Sequence, residues 1–291
     1  MNGALAARAP AKINLTLHVQ GRRADGYHEL QSLVAFAGVC DHLTLTPADT
    51  LSLSVRGPTA QAAGEGDDNL VLRAARNLVQ RVAGLKLGAF ALTKYLPVAA
   101  GVGGGSSDAA AALRLLARLN GMTPEDPRLM DAARETGADV PVCLDPAARM
   151  MTGVGEMLGP KLGLPAIPAV LVNPRVPVET RAVFAELGLT PGQSYGFGRH
   201  PVVEPGAGAD TLMAALKKGH NDLEDPAGVI AREVVAVLAV LGAARGAKLA
   251  RMSGSGATCF ALFGDRHQAA RAARVIRRDH PNWWARATLL R

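Results

Sequence analysis

The sequence predicts an α+β fold in which strands and helices form two layers. The chain has 291 residues, of which 48% are hydrophobic and 20% are charged, so it can bury a sizeable core in one large domain or two ordinary ones. Segments with strand-like alternation and segments with helical periodicity interleave irregularly, which argues against a regular parallel sheet. A stretch rich in Pro and Gly at 153–168 is the expected hinge between two halves.

The first half begins with three predicted strands. Residues 12–20 alternate apolar and polar side chains, as a half-buried strand does. Turn-forming residues follow at 21–29, and the segments 30–39 and 42–46 have the composition of further strands. These segments together predict a sheet at the start of the chain.

A helix, a strand and a second helix are predicted next. Asp68 and Asn69 precede an amphipathic pattern that runs to Val79, and either residue can cap the helix. A strand at 86–95 leads into a glycine-rich stretch. The following helix is expected at 106–119, with Ser at its start and Gly as its stop signal.

The second half is predicted to combine helices with short strands, with an exposed insertion at 190–209. We expect the domain boundary between residues 155 and 156, which gives domains at 1–155 and 156–291. The predicted elements of the second half are a strand near 168–173, helices near 210–218 and 227–243, strands near 247–252 and 257–263, and a helix near 265–279.

The formal net charge of +7 does not by itself predict a nucleic-acid partner. No run of five or more basic residues occurs, and the densest cluster, between Arg271 and Arg278, has the spacing of a solvated helix face. A phosphorylated small molecule is also a suitable partner for a basic surface. We therefore expect no nucleic-acid partner.

The cysteines and the apolar segments favour a cytoplasmic protein. Cys40, Cys143 and Cys259 are far apart, lack the spacing of a zinc site and lie in apolar stretches, so we expect buried, reduced thiols. No signal-peptide pattern is expected at the N-terminus. The longest apolar run, Val234 to Ala244, is too short to span a bilayer, so no membrane partner is expected.

The stretch LPVAAGVGGGSSDAAAAL at 96–113 predicts a phosphate-binding loop. Gly101 and the three glycines at 103–105 can adopt backbone conformations closed to other residues and expose successive N–H groups. Ser106 and Ser107 then begin a helix whose N-terminus favours an anion. No Lys follows the glycines, so the stretch is not a P-loop, and Ser106 stands where the dinucleotide fingerprint has its third Gly. A plain turn before a helix is the weaker interpretation.

A second candidate site is GADVP at 137–141. Asp139 precedes Val140 and Pro141, so we expect an extended backbone near a turn. Its carboxylate can orient or deprotonate a hydroxyl group. An Asp in such a turn is more often a cap, so the residues alone favour a structural role.

Two further stretches carry weaker signals. In RMSGSGATCFALF at 251–263, a Gly-Ser-Gly turn joins two strands, and its small residues allow a ligand to approach the backbone. A plain hairpin turn is an equally good interpretation. Lys12 stands at the start of a strand in APAKINL, where a lone Lys usually faces solvent.

Taken together, these four stretches resemble the signature of the GHMP kinase superfamily, which includes galactokinase, homoserine kinase and mevalonate kinase. The order is the same: a basic N-terminal strand, then GGGSSD, DVP and SGSGA. The resemblance extends nearly end to end and is weakest at 50–66 and 185–215. It implies an α+β fold with an N-terminal ribosomal-protein-S5-like domain and a C-terminal ferredoxin-like α/β domain, and an active site in the cleft.

One branch of the superfamily is indicated by APAKINLTLHVQGRRADGYHELQSL at 9–33, because homoserine and mevalonate kinases lack the GRRxDGYHE stretch. GADVPVCL, GVGEML, NPRVPVET and HNDLE also resemble this branch. The resemblance implies transfer of the ATP γ-phosphate to the 2-hydroxyl of a methylerythritol unit that carries a cytidine diphosphate. That reaction belongs to the non-mevalonate route to isoprenoids. We expect a monomer or a homodimer.

The resemblance places Lys12 and Asp139 at the reacting groups, with Asp139 beside the attacking hydroxyl as a base or an orienting group. It places ATP on the glycine-rich loop, with Mg²⁺ near Ser106 or Ser107. The expected ATP-binding residues are Pro97, Val98, Ala99, Ala100, Gly101, Val102, Gly103, Gly104, Gly105, Ser106, Ser107, Asn69 and Lys94.

For the cytidine substrate, the resemblance implies a second set of residues. Tyr27 and Phe184 can stack on a pyrimidine, and His28 can form a hydrogen bond with the edge of the base. The expected substrate-binding residues are Asn14, Tyr27, His28, Thr180, Phe184, Gly254, Ser255 and Gly256.

The chain departs from the family pattern at the entry to the loop. Ala99 stands where Gly is expected and Val102 where Leu or Met is expected, so the entry can follow a slightly different path. Asp108 occupies a position where relatives also carry Asn, and no role is assigned to it. Glu156 is expected to be a surface or hinge carboxylate.

Two rival interpretations stay open. The first is another small-molecule kinase of the same fold, of the homoserine or mevalonate type, and the GRRADGYHE stretch argues against it. The second is a nucleotide-binding protein of the same fold without catalysis. The presence of both Lys12 and Asp139 argues against that second interpretation.

Overall fold

The chain folds into two compact units, each discontinuous in sequence. The computed structural model describes residues 3–64, 66, 68–196 and 200–291, so residues 197–199 of the expected insertion lie outside the description. The first unit comprises Met1–Lys12, Val39–Val98 and Gly103–Pro146. The second comprises Ile13–Gly38, Ala99–Val102 and Ala147–Arg291. The boundary expected between residues 155 and 156 stays a prediction.

Strands and helices alternate along the chain. The strands are β1 (Leu5–Asn14), β2 (His18–Arg22), β3 (His28–Pro47), β4 (Ser52–Arg56), β5 (Gly88–Thr93), β6 (Arg149–Gly153), β7 (Met157–Leu158), β8 (Ile167–Asn173), β9 (Ala247–Met252), β10 (Cys259–Phe263) and β11 (Trp284–Leu290). The helices are α1 (Leu70–Val79), α2 (Gly104–Leu119), α3 (Pro127–Thr136), α4 (Val140–Leu144), α5 (Thr180–Glu186), α6 (Ala209–Lys218), α7 (Glu224–Ile230), α8 (Arg232–Ala243) and α9 (Arg266–Asp279).

In the first unit, β5 pairs antiparallel with the second part of β3 and parallel with β4. Leu43 and Leu45 of β3 and Phe90 and Leu92 of β5 alternate with less buried residues, so one face of the sheet is apolar. Both α1 and α4 pack against α2, and α3 packs against α1. A run of four fully buried alanines at 109–112 lets these helices approach α2 closely.

In the second unit, β11, β8, β10 and β9 form an antiparallel sheet in that order. Helices α8 and α9 pack against this sheet, and their apolar faces join the core of buried Val, Leu and Ala side chains. The first part of β3 pairs antiparallel with β2 and with β6. Sheets with packed helices in each unit confirm the predicted α+β class.

Three sequence predictions of element boundaries are wrong. The strand expected at 12–20 is divided between β1 and β2, because Leu17 donates its N–H to the carbonyl of His220 instead of to a strand partner. The strands expected at 30–39 and 42–46 are one continuous strand, β3, in which Asp41 is buried. The helix expected at 227–243 is divided at Ala231, whose φ of −136° and ψ of 100° are extended.

The three cysteines are buried, as the sequence predicted. Cys40, Cys143 and Cys259 are free and buried. Burial raises the pKa of Cys143 to about 12, so this thiol stays protonated at neutral pH. Among the described residues, every helix is too short or too polar to cross a membrane.

Candidate functional site

The first unit contains an ion pair between Lys12 and Asp139. Their Nζ and Oδ1 atoms lie 2.7 Å apart, and the side chains are 6% and 37% exposed. The ammonium group of Lys12 is therefore buried, whereas the carboxylate of its partner Asp139 is still accessible to solvent. A half-exposed carboxylate beside a fixed cation is able to accept a hydrogen bond from a hydroxyl group of a ligand.

The backbone of Asp139 differs from the extended conformation that the sequence predicted. Asp139 has φ −88° and ψ −9° and is the N-cap residue of α4, without a side-chain capping hydrogen bond. Pro141 lies in the first turn of α4, where its missing N–H needs no intrahelical partner, so the helix begins next to Asp139. The carboxylate is not used as a cap and is paired with Lys12 instead.

The glycine-rich loop ends at the N-terminus of α2. Gly103 is the N-cap residue with φ 58°, and the helix begins at Gly104, two residues earlier than predicted. The two serines therefore lie within the first turns of the helix and are not caps. The N–H groups of the first turn have no acceptor within the helix, and together with the helix dipole they attract an anion.

The two serines differ in their surroundings. Ser107 is fully buried, and its hydroxyl donates to the carbonyl of Pro10 at 2.6 Å. Ser106 is only partly buried and Gly105 is exposed. Ser106 is therefore the serine whose hydroxyl is able to meet a ligand at this helix end.

Lys12 lies directly beside the N-terminus of α2. A Cβ atom at Gly103 would be 3.2 Å from Cβ and 3.4 Å from Cε of Lys12, so only glycine fits there without moving the lysine. Lys12, Asp139 and the start of α2 are thus brought together within the first unit. This arrangement combines an anion site, a cation and a hydrogen-bond acceptor for a hydroxyl.

Lys94 does not reach a ligand-accessible surface. Its side chain is 2% exposed, and Nζ lies 2.5 Å from Oδ2 of Asp41 and 2.7 Å from Oδ2 of Asp108. Burial alone lowers the pKa of Lys94, but the two carboxylates outweigh burial and raise it, so the ammonium stays charged. Lys94 is therefore the centre of a buried ion triad, and the ATP contact expected for it stays a prediction.

Asn69 is the N-cap residue of α1, as one of the two sequence alternatives predicted. Its Oδ1 accepts a hydrogen bond from Val71 N–H at 3.0 Å, and its Nδ2 donates to the carbonyl of Gly64 at 2.9 Å. At the loop entry, Pro97 is buried and Val98 is 37% exposed. The ATP contacts of these three residues stay predictions.

In the second unit, Ala99–Val102 packs against the Gly-Ser-Gly turn. Thr258 N–H donates to the carbonyl of Ala100 at 3.1 Å, and the hydroxyl of Ser253 donates to the carbonyl of Gly101 at 2.9 Å. A Cβ atom at Gly101 would lie 2.5 Å from the carbonyl oxygen of Ser253. The turn is therefore a backbone support for the loop and not a plain hairpin.

Ala99 adopts the left-handed conformation that the expected glycine would favour. Its φ is 49°, in a region that costs a residue with a Cβ atom roughly 1–2 kcal/mol. Ala99 thus adopts a conformation that glycine takes without this cost, and it adds backbone strain at the loop entry. Val102 is fully buried, so a branched side chain is accommodated there.

The Gly-Ser-Gly turn also gathers two predicted substrate residues. The hydroxyls of Thr180 and Ser255 lie 2.8 Å apart, and Gly254 has φ 58° with an ideal Cβ position 3.5 Å from Oδ1 of Asn14. Nδ2 of Asn14 donates to Ser32 at 2.7 Å, but its buried Oδ1 has no hydrogen-bond partner among the residues that the structure describes. Such an atom is suited to accept a donor from a ligand.

The rings of His28 and Phe184, two of the predicted substrate residues, are in contact. Their ring centroids are 4.6 Å apart with an interplanar angle of 27°. Within the described part of the chain, the buried Nε2 of His28 has no hydrogen-bond partner. Burial, and then the charge of Arg22, lower the pKa of His28, so the neutral imidazole is favoured. Tyr27, next to it, is 65% exposed.

Several structural partners of the site were not predicted from the sequence. Ser253 accepts the N–H of Asn14 at 3.0 Å, and Asn221 donates to the carbonyl of Gly254 at 2.9 Å. Asp41 and Asp108 hold Lys94. Asp41 did carry a signal, because an ionisable residue within an apolar strand pattern requires a buried partner. Glu156 accepts the N–H of Val154 at 2.6 Å, so its carboxylate stabilises a turn.

Family models and curated relatives match almost the whole chain between them. Residues 69–146 match the model described as the GHMP kinases N terminal domain, and residues 208–282 match GHMP kinases C terminal. A protein from Methylobacterium radiotolerans named 4-diphosphocytidyl-2-C-methyl-D-erythritol kinase is 61% identical over 288 residues, covering 99% of each chain. A protein of the same name from Nitrobacter hamburgensis is 58% identical, covering 98% of this chain and 95% of the relative.

Solved structures of two kinases are similar to this chain over almost its whole length. A crystal structure of 4-(cytidine 5'-diphospho)-2C-methyl-D-erythritol kinase has a TM-score of 0.77 and 33% identity, covering 98% of this chain and 99% of that one. A homoserine kinase from Cytophaga hutchinsonii has a TM-score of 0.71 with 18% identity, covering 99% and 95%. The second likeness shows a shared fold only.

Proposed function

Because the chain belongs to the GHMP kinase family and, within it, to the 4-diphosphocytidyl-2-C-methyl-D-erythritol kinases, we propose that it transfers the γ-phosphate of ATP to the 2-hydroxyl of 4-diphosphocytidyl-2-C-methyl-D-erythritol. The product is the 2-phosphate, an intermediate of non-mevalonate isoprenoid synthesis. The observation that carries the proposal is the Lys12–Asp139 pair beside the N-terminus of α2.

Asp139 acts on the attacking hydroxyl. The half-exposed carboxylate accepts a hydrogen bond from that hydroxyl and directs its oxygen lone pair at the phosphorus atom. Phosphoryl transfer depends mainly on positioning and charge stabilisation, so an orienting role is sufficient, and proton removal by Asp139 is compatible with it. Lys12 fixes the carboxylate and places a positive charge beside the phosphate-binding helix end.

ATP binds through its phosphates to the N–H groups at the start of α2. No group of three or more His, Cys, Asp or Glu residues that could hold a metal occurs in the described ranges. The Ser106 hydroxyl is an oxygen donor beside the expected phosphate site, which fits Mg²⁺, because this ion is held largely by phosphates and water and takes few protein ligands. The partly buried Ser106 is the residue that would contact it. When bound, Mg²⁺ neutralises charge on the phosphate oxygens.

The second unit binds the cytidine. The ring of Phe184 offers a face, and the unpaired Nε2 of His28 and Oδ1 of Asn14 offer polar atoms in buried surroundings. Thr180 and Ser255 provide hydroxyls next to the Gly-Ser-Gly turn. The free, buried cysteines fit a reducing compartment, so we place the protein in the cytoplasm.

Competition by cytidine nucleotides tests the substrate class. CMP and CDP should inhibit turnover competitively with the acceptor, and UMP at the same concentration should inhibit less, because only the cytosine edge matches the base-binding site. A protein that turns over an acceptor but ignores all cytidine nucleotides would contradict the proposed substrate. That outcome would not contradict the proposed binding of ATP phosphates at the start of α2.

A further inference from the structure

A buried ion triad connects the two segments that bound the glycine-rich loop. Lys94 stands directly after β5, before the loop, and Asp108 stands on α2, after it. Nζ of Lys94 bonds to both Asp108 and Asp41, at 2.7 and 2.5 Å. All three residues are buried: Lys94 and Asp108 are each 2% exposed, and Asp41 is 0% exposed. All three lie within the first unit.

Asp41 extends the connection to the backbone that enters the loop. Its Oδ1 accepts the N–H groups of Tyr95 at 2.5 Å and of Leu96 at 2.9 Å. The carbonyl of Leu96 in turn accepts the hydroxyl of Thr59 at 2.8 Å. The chain that leaves β5 is therefore held from two sides before it reaches Pro97.

Lys94 also reaches the first residue of α2. A Cβ atom at Gly104 would lie 3.6 Å from the Nζ of Lys94, so the ammonium lies directly beside the start of the helix. Asp108 lies one turn further along the same helix. The triad thus contacts α2 at the turn whose free N–H groups face the expected phosphate.

We infer that Lys94, Asp41 and Asp108 are positioning residues for ATP: their triad fixes both ends of the glycine-rich loop, so that the N–H groups of α2 are aligned before the phosphates bind. The inference rests on the proposed function. The side chains of Lys94 and Asp41 bond within the triad and to the backbone before the loop, so the proposed role is indirect. Fixing the donors in advance reduces the ordering cost of binding and aligns the γ-phosphate for transfer.

The net charge of the buried triad is compatible with its burial, which supports a functional role for the triad. Two carboxylates and one ammonium would leave one negative charge buried, which is unfavourable. Burial, opposed by Lys94 and assisted by the charge of Asp41, raises the pKa of Asp108 to about 7. A protonated Asp108 makes the triad neutral overall.

The decisive variant is Lys94→Met, which keeps the length of the side chain and removes the cation. We expect the dissociation constant for ATP, measured by calorimetry without acceptor, to rise about tenfold or more, because the loop ends are no longer connected. The KM for the cytidylylated acceptor should change less than about threefold. Leu116→Ala, a buried change further along α2, is the control and should lower the melting temperature without changing ATP affinity.

A second pair of variants keeps the test valid if Lys94→Met fails to fold. Asp108→Asn preserves the shape and a carbonyl oxygen that accepts from Lys94, and its amide can donate to Asp41. Asp108→Ala removes the bond between α2 and Lys94. We expect ATP affinity close to wild type in the Asn variant and about tenfold weaker in the Ala variant.

The outcomes separate this inference from the proposed function. If Asp108→Ala and Lys94→Met only lower the melting temperature, as Leu116→Ala does, and bind ATP like the wild type, the triad is structural and the inference is wrong. In that case, normal wild-type turnover would leave the proposed function intact. A wild-type protein that binds no ATP would overturn both.

Discussion

The Nζ atom of Lys12 lies 2.7 Å from Oδ1 of Asp139, and the lysine stem runs alongside Gly103 at the start of α2. The pair joins the first strand of the chain to α4, two elements whose roles were not evident from their residues alone. Because the Lys12 side chain is buried and the Asp139 side chain is partly exposed, the pair is accessible to solvent through Asp139.

The first prediction concerns this carboxylate. Asp139→Asn keeps the shape but weakens the hydrogen bond to the acceptor hydroxyl and removes the possible base, so we expect kcat to fall by about 10²–10⁴-fold. ATP affinity, measured by calorimetry, should change little because the phosphate site is intact. The control is Asp131→Asn, which changes an exposed Asp of α3. Near-normal kcat in Asp139→Asn would remove Asp139 from the mechanism.

The second prediction concerns the ring of Phe184, which stacks on His28 at 4.6 Å. Loss of a stacked base is worth about 1–3 kcal/mol, so Phe184→Ala should raise the KM for the cytidylylated acceptor roughly ten- to hundredfold. Phe184 also packs against the core of the second unit, so Phe184→Leu is the matched variant that keeps apolar volume. If both variants leave the acceptor KM unchanged, the ring does not bind the base.

The third prediction concerns stability and Asp108. The pKa of Asp108 is raised from 3.8 to about 7, chiefly by burial, with Lys94 lowering it and Asp41 raising it. As pH rises from about 4 to about 7, the unfolded chain releases this proton and the folded chain retains it, so the wild type loses stability. The Asn side chain in Asp108→Asn does not titrate in this range. The melting temperature of the variant minus that of the wild type should therefore increase as the pH rises from about 4 to about 7. A constant difference between the two would show that the proton is not retained.

The fourth prediction concerns His18, which stacks on His220 with ring centroids 3.8 Å apart. Burial, then the charges of His220, His200 and Arg251, lower the pKa of His18 from 6.5 to about 4. As pH falls from 6.5 to 4, the unfolded chain takes up a proton that the folded chain excludes, so stability is lost.

His18→Gln should therefore reduce the loss of unfolding free energy between pH 7 and pH 5, measured with urea. Asp222, 2.9 Å from His220, stays in place in this variant. The exposed His267 provides the control variant His267→Gln, which should keep the wild-type slope. Equal slopes in all three proteins would contradict the assignment.

Capping residues, helical periodicity and turn residues predicted several helices and strands near the site correctly. Asn69 at the start of α1, the alanine-rich α2 and the strands around the Gly-Ser-Gly turn were recognised from capping, periodicity and turn residues. Helix α3 was missed although Asp126 caps it and Pro127 is its first residue, both common start signals.

The rest depended on contacts between distant residues, which one sequence does not reveal. The sequence predicts an ATP contact for Lys94 but gives no sign of its partners Asp41 and Asp108, which are 53 and 14 residues away. Asp139 looked like a cap until Lys12 was found beside it. In both cases the chemistry of the side chain was evident, and its role depended on which partner the fold supplied.

The most direct test of the central claim is ATP-dependent turnover, followed as ADP release, with 4-diphosphocytidyl-2-C-methyl-D-erythritol, homoserine and mevalonate as separate acceptors. We expect turnover with the cytidylylated acceptor only, and a product phosphorylated at the 2-hydroxyl. Turnover with homoserine or mevalonate instead, or none with any acceptor in a protein that binds ATP, would contradict the proposed function.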